Sequence, residues 1–95
     1  MKTPRELAFE AGVEWIERID AVPANAVDAM RRQIAYRYSA MPLGLVDKTL
    51  RVALSDPFNF DVIDGLCKEL RYDVEPVLAP AGGIARAITR YYGEL

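Results

Sequence analysis

The chain has no histidine, and Cys67 is its one cysteine among 95 residues. The first absence removes the side chain most often used as a general base and as a metal ligand. The second leaves no internal disulfide to form and agrees with a reducing compartment. Basic residues are not in excess: 12 lysines and arginines face 14 aspartates and glutamates, for a net charge of −2. A nucleic-acid partner is therefore not expected. No apolar run is long enough to span a bilayer, and the opening Met-Lys-Thr-Pro-Arg-Glu lacks the apolar core of a signal peptide. A cytoplasmic chain without direct membrane insertion is the expectation. Gly82-Gly83 is followed by no Lys-Ser or Lys-Thr, so the phosphate-loop pattern is missing too. No residue set pairs a nucleophile with a base, and none forms a metal cage. The reading is of a chain that is not an enzyme and carries neither cofactor nor metal.

What is present describes a folded module. Hydrophobic residues make up 52% of the chain and charged residues 27%, too apolar for disorder. One domain is expected over residues 1–95. Thr3-Pro4-Arg5-Glu6 is a capping box with proline at the first helical position, and Gly12 supplies a left-handed stop. A short strand follows over Val13–Ile16, with Trp15 expected in the core. The next helix is predicted as one piece from Ala26 to Tyr38, capped by Asn25, with Val27, Met30, Ile34 and Tyr38 at spacings of three and four. Two strands, near Ala40–Leu43 and Thr49–Leu54, join through Asp47-Lys48 as an antiparallel hairpin, and Asp56-Pro57 ends the second.

Asn59 caps a helix over Phe60–Leu70, with Phe58 expected to staple onto Ile63. Its stripe is Ile63, Leu66, Cys67 and Leu70, so Cys67 is read as buried filler. Gly65 weakens that helix by roughly 1 kcal/mol relative to alanine, as if another backbone passed close. Asp73–Ala79 is a strand that Pro76 assigns to a sheet edge or a bulge. The last helix, Ala81–Tyr92, buries Ile84, Ala87, Ile88 and Tyr91, with Tyr91 and Tyr92 splitting between core and exit. The order α-β-α-β-β-α-β-α predicts an α/β (α+β) fold: a small mixed sheet of three to four strands with helices packed on it.

Few residues stand out as chemistry. Asp61, Asp64 and Glu69 read as a solvated helix face. Gly82-Gly83 reads as a loose helix start. Arg31, Arg32 and Arg37 form the candidate partner surface, a basic patch for an acidic partner or lipid head groups. Tyr36 is a further candidate anchor.

The hairpin, Leu50-Arg-Val-Ala-Leu-Ser-Asp-Pro57, the helix, Val74-Glu-Pro-Val-Leu-Ala79, the last helix and Arg90-Tyr-Tyr-Gly93 together resemble the N-terminal domain of type II secretion ATPases. The same module is shared with type IV pilus assembly ATPases. The resemblance runs from Leu7 to Gly93. It implies a non-catalytic adaptor that docks a hexameric motor onto a cytoplasmic domain of an inner-membrane platform protein, at the inner face of that membrane. The alternative it implies is sensing of cyclic di-GMP, in a secretion motor or a membrane glycosyltransferase. A subset of the family binds that nucleotide through an upstream repeat beginning Arg-Leu-Gly, a tripeptide this sequence lacks. Two departures stand out: Arg71 stands about where the family closes the third helix with glycine, and Ala81-Gly82-Gly83 replaces the acidic start of the last helix.

Overall fold

The computed structural model describes residues 3–56 and 58–94. Pro57, part of the expected strand stop, lies outside them, as do Met1, Lys2 and Leu95. Among the described residues the fold is a four-stranded mixed sheet with five helices, in the order α1 (Pro4–Ala11), β1 (Glu14–Trp15), α2 (Ala24–Asp28), α3 (Arg32–Tyr38), β2 (Met41–Val46), β3 (Thr49–Leu54), α4 (Phe60–Glu69), β4 (Asp73–Leu78) and α5 (Ala81–Tyr92).

Local signals set most boundaries. The Thr3 hydroxyl accepts the Glu6 amide, capping α1, and donates to the Glu6 carboxylate, each at 3.2 Å, so Glu6 reaches back to the hydroxyl of Thr3. Gly12, at φ 72°, ends α1 in the left-handed region. Asn59 caps α4 by accepting the Val62 amide at 3.3 Å. At the hairpin turn Asp47 takes a φ of 55°, the sign that a two-residue primed turn needs at its first position.

The strands lie in the order β1-β4-β3-β2, with β4 parallel to both neighbours and β2–β3 antiparallel. This corrects the expected place of Pro76, which sits in an interior strand opposite Val52. Register explains how a residue without an amide hydrogen is tolerated. The amides of Asp73 and Ala79 donate toward β3, to the carbonyls of Lys48 and Leu54. By alternation the Pro76 nitrogen turns the other way, toward β1, and β1 begins only at Glu14, opposite Val77. No ladder bond is lost.

The pairs Leu50↔Val74, Val52↔Pro76 and Leu54↔Leu78 put six apolar side chains on one sheet face. Met41, Leu50, Val52, Leu66, Leu78 and Ile84 are among the largest fully buried side chains. Each such burial contributes roughly 1.5–3 kcal/mol. Helix α4 packs over β4, α5 over β2 and β3, and α3 against both helices. Trp15 is half-buried rather than a core residue, and its covered indole Nε1 has no hydrogen-bond partner among the described residues.

Helix α4 departs from expectation at Cys67 and around Gly65. Cys67 is exposed rather than buried. The close neighbour of Gly65 is no backbone but the ring of Tyr38: a Cβ on Gly65 would meet its Oη at 2.9 Å and two ring carbons at 3.0 and 3.1 Å. The inward side is Val62, Ile63, Leu66 and Leu70, so of the predicted stripe only Cys67 turns out. The helix then ends with Leu70 in extended geometry, φ −96° and ψ 154°, so Arg71 needs no left-handed conformation.

Gly65→Ala is expected to lower stability by about 1 kcal/mol through overpacking against Tyr38, although alanine is the better helix former. In a Tyr38→Leu background the same substitution becomes neutral or stabilising. Urea unfolding midpoints of the four chains read both outcomes.

Candidate functional site

The predicted helix Ala26–Tyr38 is two helices. Pro23 rather than Asn25 opens the first, at Ala24, and Arg31 takes extended geometry, φ −73° and ψ 152°, before α3 begins. The cause lies far away in sequence. The Tyr92 hydroxyl reaches the carbonyls of Val27 at 2.9 Å and Met30 at 2.8 Å, sharing its one proton between them. The Met30 carbonyl has no backbone donor at the break and Tyr92 satisfies it, while the Val27 carbonyl also accepts the Met30 amide at 3.3 Å. Met30 stays buried, so the apolar spacing holds through the break. Burial, followed by the negative charge of Asp28, pushes the Tyr92 hydroxyl up to about 12.

The break decides where the three candidate arginines point. Arg31, at the start of α3, and Arg37, in its last turn, line one side of a groove of about 640 Å³. Arg71 and Tyr72, just beyond α4, line the other. Arg37 donates to the Glu69 carboxylate at 2.8 Å across the groove. Arg32 is not part of it; its Nη1 donates to the Glu94 carbonyl at 3.3 Å, beside Tyr36, whose hydroxyl donates to the Gly93 carbonyl at 2.6 Å. Two of the three candidate residues are thus brought together and the third holds the end of the chain. Arg71 joins them unforeseen as a groove residue, although its place as a departure from the expected glycine already marked it.

The groove carries three guanidinium groups against the carboxylates of Asp28 and Glu69. Guanidinium forks bind carboxylates in fixed geometry, and a half-buried tyrosine offers apolar area with a polar tip. This is recognition chemistry. A smaller groove of about 360 Å³ on the sheet face across from the Leu50–Val52–Leu54 row holds Glu14, Arg51 and Glu75. Arg51 pairs there with Glu75 at 3.2 Å and with Glu14, so its charge ties β1, β4 and β3 together. Asp61, Asp64 and Glu69 are exposed, with Asp64 paired to Lys68 at 3.1 Å.

The MshEN domain family matches residues 11–95. The type IV pilus assembly ATPase PilB of Myxococcus xanthus (strain DK1622) is 30% identical over 89 residues, which are 93% of this chain and 16% of PilB. Among solved structures, MshE with cyclic di-GMP superposes with a TM-score of 0.82 at 32% identity, covering 90% of this chain and 63% of that one. The N-terminal domain of XpsE superposes at 0.73 and 17% identity, covering 94% and 64%, and shares the fold. The chain spans a small part of PilB and under two thirds of the MshE structure.

An exposed tyrosine ionises near 10, whereas Tyr92 holds its proton to about 12. Its contribution is fully present below the unfolded value and is lost as pH rises through that window, because only the unfolded chain releases the proton there. Stability should therefore fall between about pH 10 and about pH 12. Tyr92→Phe should make the fall shallower while costing about 1 kcal/mol at neutral pH, chiefly for the Met30 carbonyl left without a partner. Urea unfolding across pH reads both.

Proposed function

We infer a docking role from one premise: the chain belongs to the MshEN domain family. It is homologous to a segment of the pilus ATPase PilB and has the fold of the XpsE N-terminal domain. Among the described residues no helix is long and apolar enough to cross a membrane, and no cluster of metal-ligating side chains occurs. The proposed function is a non-catalytic adaptor of a secretion or pilus ATPase. It binds a cytoplasmic domain of an inner-membrane platform protein and so holds the motor at the inner face of that membrane.

The observation that carries this reading is the Arg31–Arg37–Arg71 groove with Tyr72 in its wall. Its mixed charge suits an acidic protein segment with an apolar anchor. Tyr72 and the arginine stems supply buried area, while the charges set orientation and on-rate. Arg37 is preoriented by Glu69.

Arg31→Glu with Arg71→Glu is expected to leave the fold intact, since both residues are exposed. It should weaken platform-domain binding by about tenfold or more, each charge reversal acting at a contact worth about 1 kcal/mol. Calorimetric titration against the platform domain measures it, and unchanged affinity would remove the groove from the reading.

A second reading is favoured by one observation, the 32% identity and 0.82 TM-score to the structure of MshE with cyclic di-GMP. In it the module senses that nucleotide. Titration with cyclic di-GMP separates the two: saturable amide shifts at micromolar ligand would establish sensing, and their absence leaves docking alone.

A further inference from the structure

On the other side of α5, Tyr91 binds backbone as Tyr92 does. Its hydroxyl accepts the Val22 amide at 3.0 Å and reaches the Asp20 carbonyl at 3.3 Å. The segment 17–22 is thereby pinned alongside α5, and the two enclose a groove of about 320 Å³. Its walls carry Arg18 from the pinned segment, and Gly83, Arg86, Arg90 and Tyr91 from the helix. Glu17 is the carboxylate there, and it is engaged by Arg5 at 3.3 Å. None of Arg18, Arg86 and Arg90 is in an ion pair among the described residues.

Three guanidinium groups without an ion pair around one groove, in a chain of net charge −2, need a physical account. Arg86 and Arg90 stand one turn apart and share a helix face. The Arg90 guanidinium lies 5.4 Å from the centroid of the Tyr91 ring, a platform fixed in turn by the Asp20 and Val22 backbone. Arg86 lies along the bare first turn, its Nη1 3.3 Å from where a Cβ on Gly82 would stand. That turn has no capping side chain and no acidic residue, so its open amides add positive potential to the arginines. The Arg31–Arg37–Arg71 groove, by contrast, is offset by Asp28 and Glu69.

We propose that the Arg18–Arg86–Arg90 groove binds a phosphate group. A phosphate presents several oxygens in a tetrahedral array to guanidinium forks and carries more charge than a carboxylate, which suits a groove lined by three arginines. Tyr91 fixes the backbone at Asp20 and Val22, just after Arg18, and its ring lies under the Arg90 guanidinium, which lowers the ordering entropy lost on binding. The site is separate from the docking groove and does not depend on the docking role. Its phosphate comes from a small soluble molecule or from a lipid headgroup.

The test uses the whole chain with two probes: inorganic pyrophosphate followed by amide shifts, and sedimentation with phosphatidylcholine vesicles with and without phosphatidylglycerol. Saturable pyrophosphate shifts are expected at Arg18, Gly82, Gly83 and Arg86. Arg86→Ala with Arg90→Ala should weaken binding by about tenfold or more, two charge-assisted contacts being lost. Tyr91→Phe keeps every charge but frees the segment carrying Arg18, and should weaken it by about threefold. Arg31→Glu with Arg71→Glu should leave it unchanged. Sedimentation only with phosphatidylglycerol, lost in the Arg86/Arg90 variant, assigns the phosphate to a lipid headgroup. Pyrophosphate binding without sedimentation assigns it to a soluble molecule. Shifts that never saturate with no sedimentation, or binding that survives loss of both arginines, overturn the proposal.

Discussion

The backbone between β1 and α3 has little regular structure of its own, and two tyrosine hydroxyls at the end of α5 satisfy it. Residues 16–31 contain one five-residue helix, too short to pair most of its own amides and carbonyls. Buried backbone groups without partners are costly. Tyr91 serves Asp20 and Val22, and Tyr92 serves Val27 and Met30. The rotation of α5 that aims both rings is fixed by Ile84, Ala87 and Ile88 in the core. Packing of one helix face thus sets the path of a segment more than sixty residues upstream.

Both arginine grooves follow from that constraint. Arg31 faces Arg71 because the chain is extended at the break that Tyr92 stabilises, and Arg18 faces α5 because Tyr91 holds its segment there. On the sheet the charges are arranged differently. Arg51 is taken up by Glu75 and Glu14 across three strands, where exposed pairs contribute little stability individually but fix a register in which no arginine is left for a partner. The same residue type is internally matched on the sheet face, whereas beside α5 Arg18, Arg86 and Arg90 are in no ion pair among the described residues.

Most of the architecture was legible in the sequence because it is written locally. Thr3 and Asn59 are caps, Asp47-Lys48 is a turn, and the Leu50, Val52, Leu54 alternation is a strand wherever it is placed. What was not legible depends on distant partners. Val27, Met30 and Ile34 keep helical spacing whether or not the helix breaks, so no local pattern could announce the role of Tyr92. Cys67 and Leu66 are adjacent on one predicted stripe, and spacing alone does not say which turns inward; packing buries Leu66 and exposes Cys67. Pro76 reads as an edge residue until the shortness of β1 is known. For the site, Arg31 and Arg37 were within reach of sequence patterning, because charge on a polar helix face is visible there. Arg18, Arg86 and Arg90 were not, since their convergence depends on the tertiary course of residues 17–22.

Fold and surface follow different rules in this chain. At 17% identity the XpsE N-terminal domain still superposes over 94% of it, so the apolar pattern that builds the sheet tolerates wide change. Arg71 has no part in that pattern. Where the resemblance leads one to expect a helix-closing glycine, α4 instead ends through extended geometry at Leu70, and a guanidinium is placed opposite Arg31 at no conformational cost. A glycine there would give the same fold with one fewer cation in the groove. At such an exposed helix end the backbone accepts either residue, and only the surface records which one is present.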